Sequence, residues 1–437
     1  MLFPIDPRIF GPPHLDGVSG AAFLLLLLGV TWLAAVRPSF AVAALVLVDP
    51  FDYARYLGTV QITSEKVAVL GAILGLAWFY ARRRPRNVAW RDVRSARLLG
   101  VALLALIAAT AVTYFQAELW WAWRDEMVKL QDDAAIFLTA LAAGIADDDL
   151  GPLERAASTV LILVSALAIS EEGTARSVVA MSGALVPRIA GPLDGPNHLS
   201  GYLQILIPLV AGLTLFGRPR VWLLIALFMG SLTDVLTLSR NGLACGAIAV
   251  AIVVGLGSGR RLPVILTLFS GCAFGMAIQP ESLLRLGSTS QEQNAGTVGT
   301  RAILWRAAYQ LWRTHPFLGI GAGNFEFEIS RVGPAGVRTH ANDWYLQALA
   351  EGGIPLLAAT LLTAYASIAS FVRGLREDPL VLSAFAVSVG LALASILDYV
   401  LFYPKIVDAW WLLLGLASAR QVLRAARLRR GAAEDTG

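Results

Sequence analysis

Charge is what this chain has least of. Asp, Glu, Lys and Arg make up 15% of its 437 residues, against 57% hydrophobic, and the mean hydropathy is +0.65. A soluble domain carries roughly 25% charged residues, so a water-facing surface around one core is excluded and a multi-span membrane protein is indicated. Cysteine is nearly absent: Cys245 and Cys272 both lie in apolar runs, which excludes a disulfide framework and a cysteine metal site and leaves the redox compartment unread. Lysine is represented only by Lys66, Lys129 and Lys405. The other basic residues are arginines, and 31 acids bring the net charge to +4. The arginines gather in short loops, the pattern of membrane topology, and no nucleic-acid partner is expected. The opening MLFPIDPRIFGPPHLDG lacks the basic start of a secretory signal, so the first apolar run is expected to be a retained span. Repeats, coiled coils and low-complexity tracts are missing as well.

What the chain has is apolar runs, near 19–36, 66–81, 97–115, 134–146, 156–170, 199–216, 221–238, 241–257, 262–278, 344–370, 380–398 and 405–420, with a shorter one at 39–48. They predict an all-α polytopic bundle of about 12 or 13 transmembrane helices, residues 1–437 forming one membrane domain. The loops RRRPRNVAWRDVRSAR, GRPR, GSGRR and RGLR and the tail RQVLRAARLRR are strongly basic and are expected on the cytoplasmic side, the C-terminus with them. The connections 116–133, 171–198, Ser239-Arg240 and the large loop 279–343 are then outward. His14, His198, His315 and His340 all fall on that outer side, His14 only if 39–48 crosses.

Four stretches carry candidate chemistry. In RTHANDWYLQALAEGGIP, a helix starting near Thr339 would put His340, Asp343, Gln347 and Glu351 on one face, a polar stripe running into the membrane, with Asn342 beside it at the boundary. In RAILWRAAYQLWRTHP, Arg301, Trp305, Ala308 and Trp312 share a face of an amphipathic helix, read either as an interfacial anchor or as a presenter of Arg301 to an anion. The following GIGAGN is expected to be a tight turn and not a nucleotide loop, since no strand-turn-helix unit surrounds it. In LTLSRNG, Arg240 sits at the outer boundary, either reaching lipid headgroups or, among small neighbours, meeting a polar ligand. In GPLDGPNHLSGYL, Asn197 and His198 suit a helix cap and loop anchor, and Arg188 upstream suits an anion. Trp120, Trp121 and Trp123 read as an outer aromatic belt.

Together PNHLSGYL, LTLSRNG, RAILWRAAYQLWRTHPFLGIGAGNF and HANDWYLQALAEGGIPLL, in that order and with a large outer loop, resemble the O-antigen ligase and O-antigen polymerase (Wzy-like) family over about residues 190–370. The resemblance implies a GT-C-like membrane glycosyltransferase in the bacterial inner membrane, its active site facing the periplasm. It would take a glycan from an undecaprenyl (polyprenyl) diphosphate carrier to a hydroxyl of lipid A core or of a growing glycan. It makes Arg240, Arg301 and His340 the catalytic residues. Arg188, Asn197, His198, Trp305, Asn342, Gln347 and Glu351 would line the substrate. The same resemblance implies inversion at the anomeric carbon, with no metal and no cofactor. His340 is read as the base for the acceptor hydroxyl or as a diphosphate ligand, and Glu351 as a structural partner within the stripe. A transporter or flippase is the rival expectation from the same polar groups within spans.

Overall fold

The computed structural model describes residues 16–57, 60–83, 94–171, 177–181, 184–217, 219–283, 300–333 and 339–434. His14, Arg338, the middle of the large loop and much of the first basic loop lie outside the described residues. The chain is a helical bundle: α1 (Gly17–Val36), α2 (Pro38–Val48), α3 (Ser64–Arg82), α4 (Arg94–Val112), α5 (Trp120–Ala146), α6 (Gly151–Ser170), α7 (Pro196–Phe216), α8 (Val221–Leu236), α9 (Arg240–Leu256), α10 (Arg261–Ile278), α11 (Thr300–Thr314), α12 (Phe325–Val332), α13 (Trp344–Ala369), α14 (Pro379–Leu397) and α15 (Pro404–Glu434). Two antiparallel hairpins interrupt it, β1 (Ala54–Leu57) with β2 (Val60–Thr63), and β3 (Ser177–Met181) with β4 (Ala184–Arg188).

Among the described residues, nine helices are long and apolar enough to cross a membrane, and α2, α8 and α9 are shorter apolar helices. These account for the apolar runs of the sequence, with one correction. The run 134–146 is only the second half of α5, a 27-residue helix that begins at Trp120. Its first half was expected to be an outward connection. It is helical because Glu126, Lys129 and Asp133 recur at helical spacing and turn a polar stripe toward an internal cavity, a pattern that mean hydropathy does not register.

The bundle is organised around α7, whose span is 94% buried inside the protein, whereas that of α10 is 17% buried and faces outward. Small residues allow that burial. A Cβ on Gly242 would overlap the Ser200 hydroxyl, and one on Gly212 would overlap Ser383, so α9 and α14 close onto α7 at glycine contacts. Asp234, on α8, accepts a hydrogen bond from Ser200 Oγ at 2.6 Å. Thr237 reaches only the Asp234 backbone.

The other organising feature is a break in α13, where Gly353 has φ +60° and Pro355 follows. The break frees main-chain carbonyls, and in a bundle these need donors. Ile320 N donates to Ala350 O at 3.0 Å and Gly321 N to Glu351 O at 2.9 Å. The glycine-rich turn GIGAGN is thus a cover for a broken helix, with φ +63° at Gly319 and +96° at Gly321. A Cβ at Gly353 would strike the Phe317 carbonyl. Gly353→Ala should therefore cost about 2 kcal/mol or more and lower the melting temperature in detergent by several degrees. Gly20→Ala, in open space on α1, should leave it unchanged or slightly higher in the same differential scanning fluorimetry run.

Candidate functional site

A single carboxylate, Asp398, gathers the basic groups. It lies just past the end of α14 and is 4% exposed. Its Oδ2 faces the Arg301 guanidinium at 3.6 Å and accepts from Asn197 Nδ2 at 3.3 Å. Asn197 Oδ1 in turn accepts from Arg188 Nη2 at 2.8 Å, while Arg188 Nε donates to the Thr237 carbonyl at 2.8 Å. Three residues after Thr237, Arg240 opens α9 behind Ser239, whose hydroxyl caps the helix at Gly242. Between them Leu238 holds φ +53°, an uncommon conformation for a non-glycine residue. Burial lowers the pKa of Arg301 from its ordinary value, and Arg240 lowers it further while Asp398 opposes both. Arginine stays protonated all the same. Arg240 and Arg301 are thus close enough to repel one another, and Asp398 partly compensates Arg301.

This geometry corrects one expectation. Asn197 is not a helix cap: α7 begins behind Gly195 with no side-chain cap, and the Asn197 amide bridges Arg188 to Asp398 instead. The expected stripe on α13 is also revised. The helix begins at Trp344, with the Asp343 carboxylate capping Leu346 N at 2.9 Å, so His340 stands in the preceding loop and not on the helix face. Only Gln347 and Glu351 form a helical pair, bonded at 2.8 Å. They fix what surrounds them: Gln347 Oε1 accepts from Ala341 N at 2.7 Å, and Glu351 Oε1 from Phe325 N at 3.2 Å.

His340 is 7% exposed, between the Phe402 ring (centroids 5.0 Å apart) and the Tyr399 ring (5.9 Å). The backbone N–H of Asn342, itself at φ +53°, donates to His340 Nδ1 at 3.2 Å. An amide can only donate, so Nδ1 is the acceptor nitrogen and the proton of the neutral ring sits on Nε2, 2.9 Å from Tyr403 Oη. Burial pulls the His340 pKa down to about 4, with His198 and Arg301 acting in the same direction, so the ring is neutral at neutral pH. His198 stacks on the opposite partner of this pair, its ring centroid 3.3 Å from that of Tyr403, and its buried Nδ1 has no hydrogen-bond partner.

α11 places Arg301 at its first turn. Its apolar side, Leu304, Ala308 and Leu311, packs against Phe325, Ile329 and Ala350 of α12 and α13, so the helix is docked onto protein instead of lying free on a lipid surface. Trp305, one turn beyond Arg301, keeps its indole N–H buried and without an acceptor among the described residues.

Behind His198, Phe402 and Tyr403 opens a cavity of about 870 Å³, which also reaches Gln347 and Glu351. None of the three arginines lines it. Its wall instead carries carboxylates, among them Glu126, Asp132 and Asp194, together with Trp344, Trp410 and Tyr56. Asp398 and Tyr403 were absent from the expected site. The only signal for either was position, an acid at the last residue of a predicted span and an aromatic run directly after it.

Because folded His340 has its pKa lowered from 6.5 to about 4, the unfolded chain takes up a proton that the folded site refuses as pH falls through that window. Stability is full above about pH 6.5 and declines toward pH 4, by at most about 3 kcal/mol from this group. His340→Gln should flatten that part of the melting temperature against pH curve. Asp398→Ala leaves Arg301 buried without its partner and should cost about 3 kcal/mol or more in the same melting assay at pH 7.5.

No curated protein matches this chain. The stretch from α8 into α13 does match a known family: residues 224–361, which hold Arg240, Arg301, His340 and Glu351, fit the family model described as O-antigen ligase.

Proposed function

We propose that this protein transfers a glycan from an undecaprenyl (polyprenyl) diphosphate carrier to a hydroxyl acceptor at the periplasmic face of the bacterial inner membrane, by inverting, metal-independent, GT-C-type chemistry. The observation that carries this reading is Asp398 set between Arg301 and, through Asn197, Arg188, with Arg240 and His340 both close enough to Arg301 to feel its charge. Guanidiniums give bidentate, charge-assisted hydrogen bonds to phosphate oxygens, and a lipid-linked diphosphate presents such oxygens at headgroup depth. Repulsion between Arg240 and Arg301 is relieved when an anion enters.

In the reaction the acceptor oxygen attacks the anomeric carbon from the face opposite the diphosphate. The new C–O bond forms as the bond to phosphate breaks, and the leaving group departs with the electron pair. Arg240 and Arg301 stabilise the charge growing on that diphosphate. His340, with Nε2 already protonated by the tautomer argument, serves as a further donor to it. The proton shed by the acceptor then ends on the departing diphosphate or in cavity water. Arg188, Asn197 and the Trp305 indole N–H hold the donor, while His198 and Asn342 shape the wall between donor and cavity. The cavity suits the acceptor, because carboxylates and aromatic rings are what sugar hydroxyls and sugar faces meet well, and an acidic wall keeps the diphosphate on the arginine side. Lipid A core or a growing glycan fits this description. The basic loops set the cytoplasmic side, and the C-terminus with it.

Purified protein in detergent, given a polyprenyl diphosphate glycan and candidate acceptors, should release the free carrier diphosphate and the glycosylated acceptor. Arg240→Ala and Arg301→Ala should each lower that rate by at least about 100-fold, the size expected for losing one preorganised donor, while inserting normally. Movement of the intact lipid in sealed vesicles, with no transfer to any acceptor, would instead make the protein a flippase. His340 separates two roles: His340→Gln keeps a donor but takes no proton, so it should retain within about 10-fold of wild-type turnover if the ring is a diphosphate ligand, and fall as far as His340→Ala if it is the base.

A further inference from the structure

Three carboxylates that the transfer site does not use come together on the other side of the cavity. Asp49 follows the end of α2, Glu65 lies in the first turn of α3, and Asp408 lies in the second turn of α15. One oxygen from each lies within 4.8 Å of the other two. Asp49 is 6% exposed, and among the described residues neither of its carboxylate oxygens has a partner at hydrogen-bond distance, the Tyr202 hydroxyl being close enough to act on it. Asp133 of α5 adds a fourth buried carboxylate beside Glu65 and Asp408. The nearby cations do not balance them: Lys66 is engaged with Asp132 at 3.3 Å, which leaves Lys405.

Buried carboxylates persist when they are paired, protonated or bound to a metal. Glu65 and Asp408 are close enough to share a proton, but such a bond leaves Asp49 outside it, since the Asp49 oxygens make none among the described residues. We propose that Asp49, Glu65 and Asp408 hold one divalent cation of the hard, oxygen-seeking kind, Ca²⁺ the best fit, that ties α2, α3 and α15 together at the cavity. Ca²⁺ takes oxygens about 2.3–2.6 Å away, so its ligands lie within about 5 Å of each other, as these do. Its six to eight positions leave room for water. Glu65 and Asp408 line the cavity of about 870 Å³, which supplies both the water and the route in, while Asp49 closes the site from the apolar side with Leu45, Val69 and Tyr202.

The ion takes no part in glycosyl transfer, and the proposal stands whatever the reaction proves to be. Its consequence is positional. α15 starts one residue after Tyr403, the hydrogen-bond partner of His340, so anchoring Asp408 fixes the first turns of the helix that carries this wall.

Terbium(III) is the probe, since Trp410 and Trp411 stand two and three residues from Asp408 and can sensitise its emission. Full-length protein in detergent, stripped with chelator, should show one saturable terbium site per chain that Ca²⁺ displaces, and Ca²⁺ should raise its melting temperature. Asp49→Asn and Asp408→Asn should weaken terbium binding at least tenfold and abolish the Ca²⁺-dependent rise. Asp125→Asn, an exposed carboxylate of the same cavity, should change neither. Glu65→Gln, at the less buried ligand, gives a second variant, and size-exclusion elution identifies those that fold. The proposal is overturned by the absence of a saturable site in wild type, or by folded ligand variants that bind terbium as tightly as wild type. Variants that melt higher than wild type with and without Ca²⁺ would overturn it too, as the sign of carboxyls held protonated.

Discussion

Everything at the candidate site depends on how one buried carboxylate is shared. Asp398 faces Arg301 directly and Arg188 through the Asn197 amide, so a single negative charge holds together guanidiniums brought by α11 and β4. Arg240 lies close enough to Arg301 to repel it. Full pairing of every arginine would make a stable salt-bridge knot with nothing left for a ligand. Complete absence of a carboxylate would leave repulsion that the fold has to absorb. Asp398 lies between these limits: among the described residues it fixes Arg301 directly and Arg188 through Asn197, which sets where an anion would meet them.

The second constraint is the break in α13. A continuous helix would satisfy its own carbonyls and give the loop before it nothing to hold. With Gly353 and Pro355 in place, the Ala350 and Glu351 carbonyls accept from the glycine turn, and the Glu351 side chain accepts from Phe325 N. Gln347 then passes the constraint on to Ala341 and so to His340. The loop that carries His340 is thereby built into the bundle, and the strained backbone at Asn342 is held by the Ala341 N–H bond to Gln347 on one side and the Asp343 cap of Leu346 on the other. That the ring presents Nε2–H follows from the same anchoring, because the Asn342 amide occupies Nδ1.

Much of this was legible in the sequence, for identifiable reasons. Apolar runs report lipid-facing helices directly, and Arg240, Arg301 and His340 stand out because ionisable groups at span boundaries are costly. What escaped was whatever depends on contacts distant in sequence. The first half of α5 reads as a polar loop until the cavity it lines is known. Asn197 has the local features of a cap, and only the approach of β4 and of the end of α14 turns its amide elsewhere. Asp398 and Tyr403 carry no local pattern at all; their roles come from α14 and α15 meeting α7 and the His340 loop. A helical wheel placed His340 with Glu351, and the Asp343 cap, which starts the helix at Trp344, separates them.

The distribution of charge across the wall formed by His198, Phe402 and Tyr403 gives the arrangement a direction. On one side stand the arginines, and on the other a cavity wall that carries more carboxylates than cations, Lys66, Arg124, Lys129 and Lys405 among the latter. A substrate with a diphosphate at one end and a neutral sugar at the other would be drawn into a single orientation by that gradient, with its anomeric carbon at the wall between the two fields. The low dielectric of the bundle strengthens both fields relative to water. The neutral His340 fits such a boundary, since a charged ring there would add to the repulsion from Arg301 before the anion arrives. An anion beside Arg301 would lower that repulsion, while the Asn342 N–H keeps Nδ1 the acceptor and Nε2–H the donor of the ring.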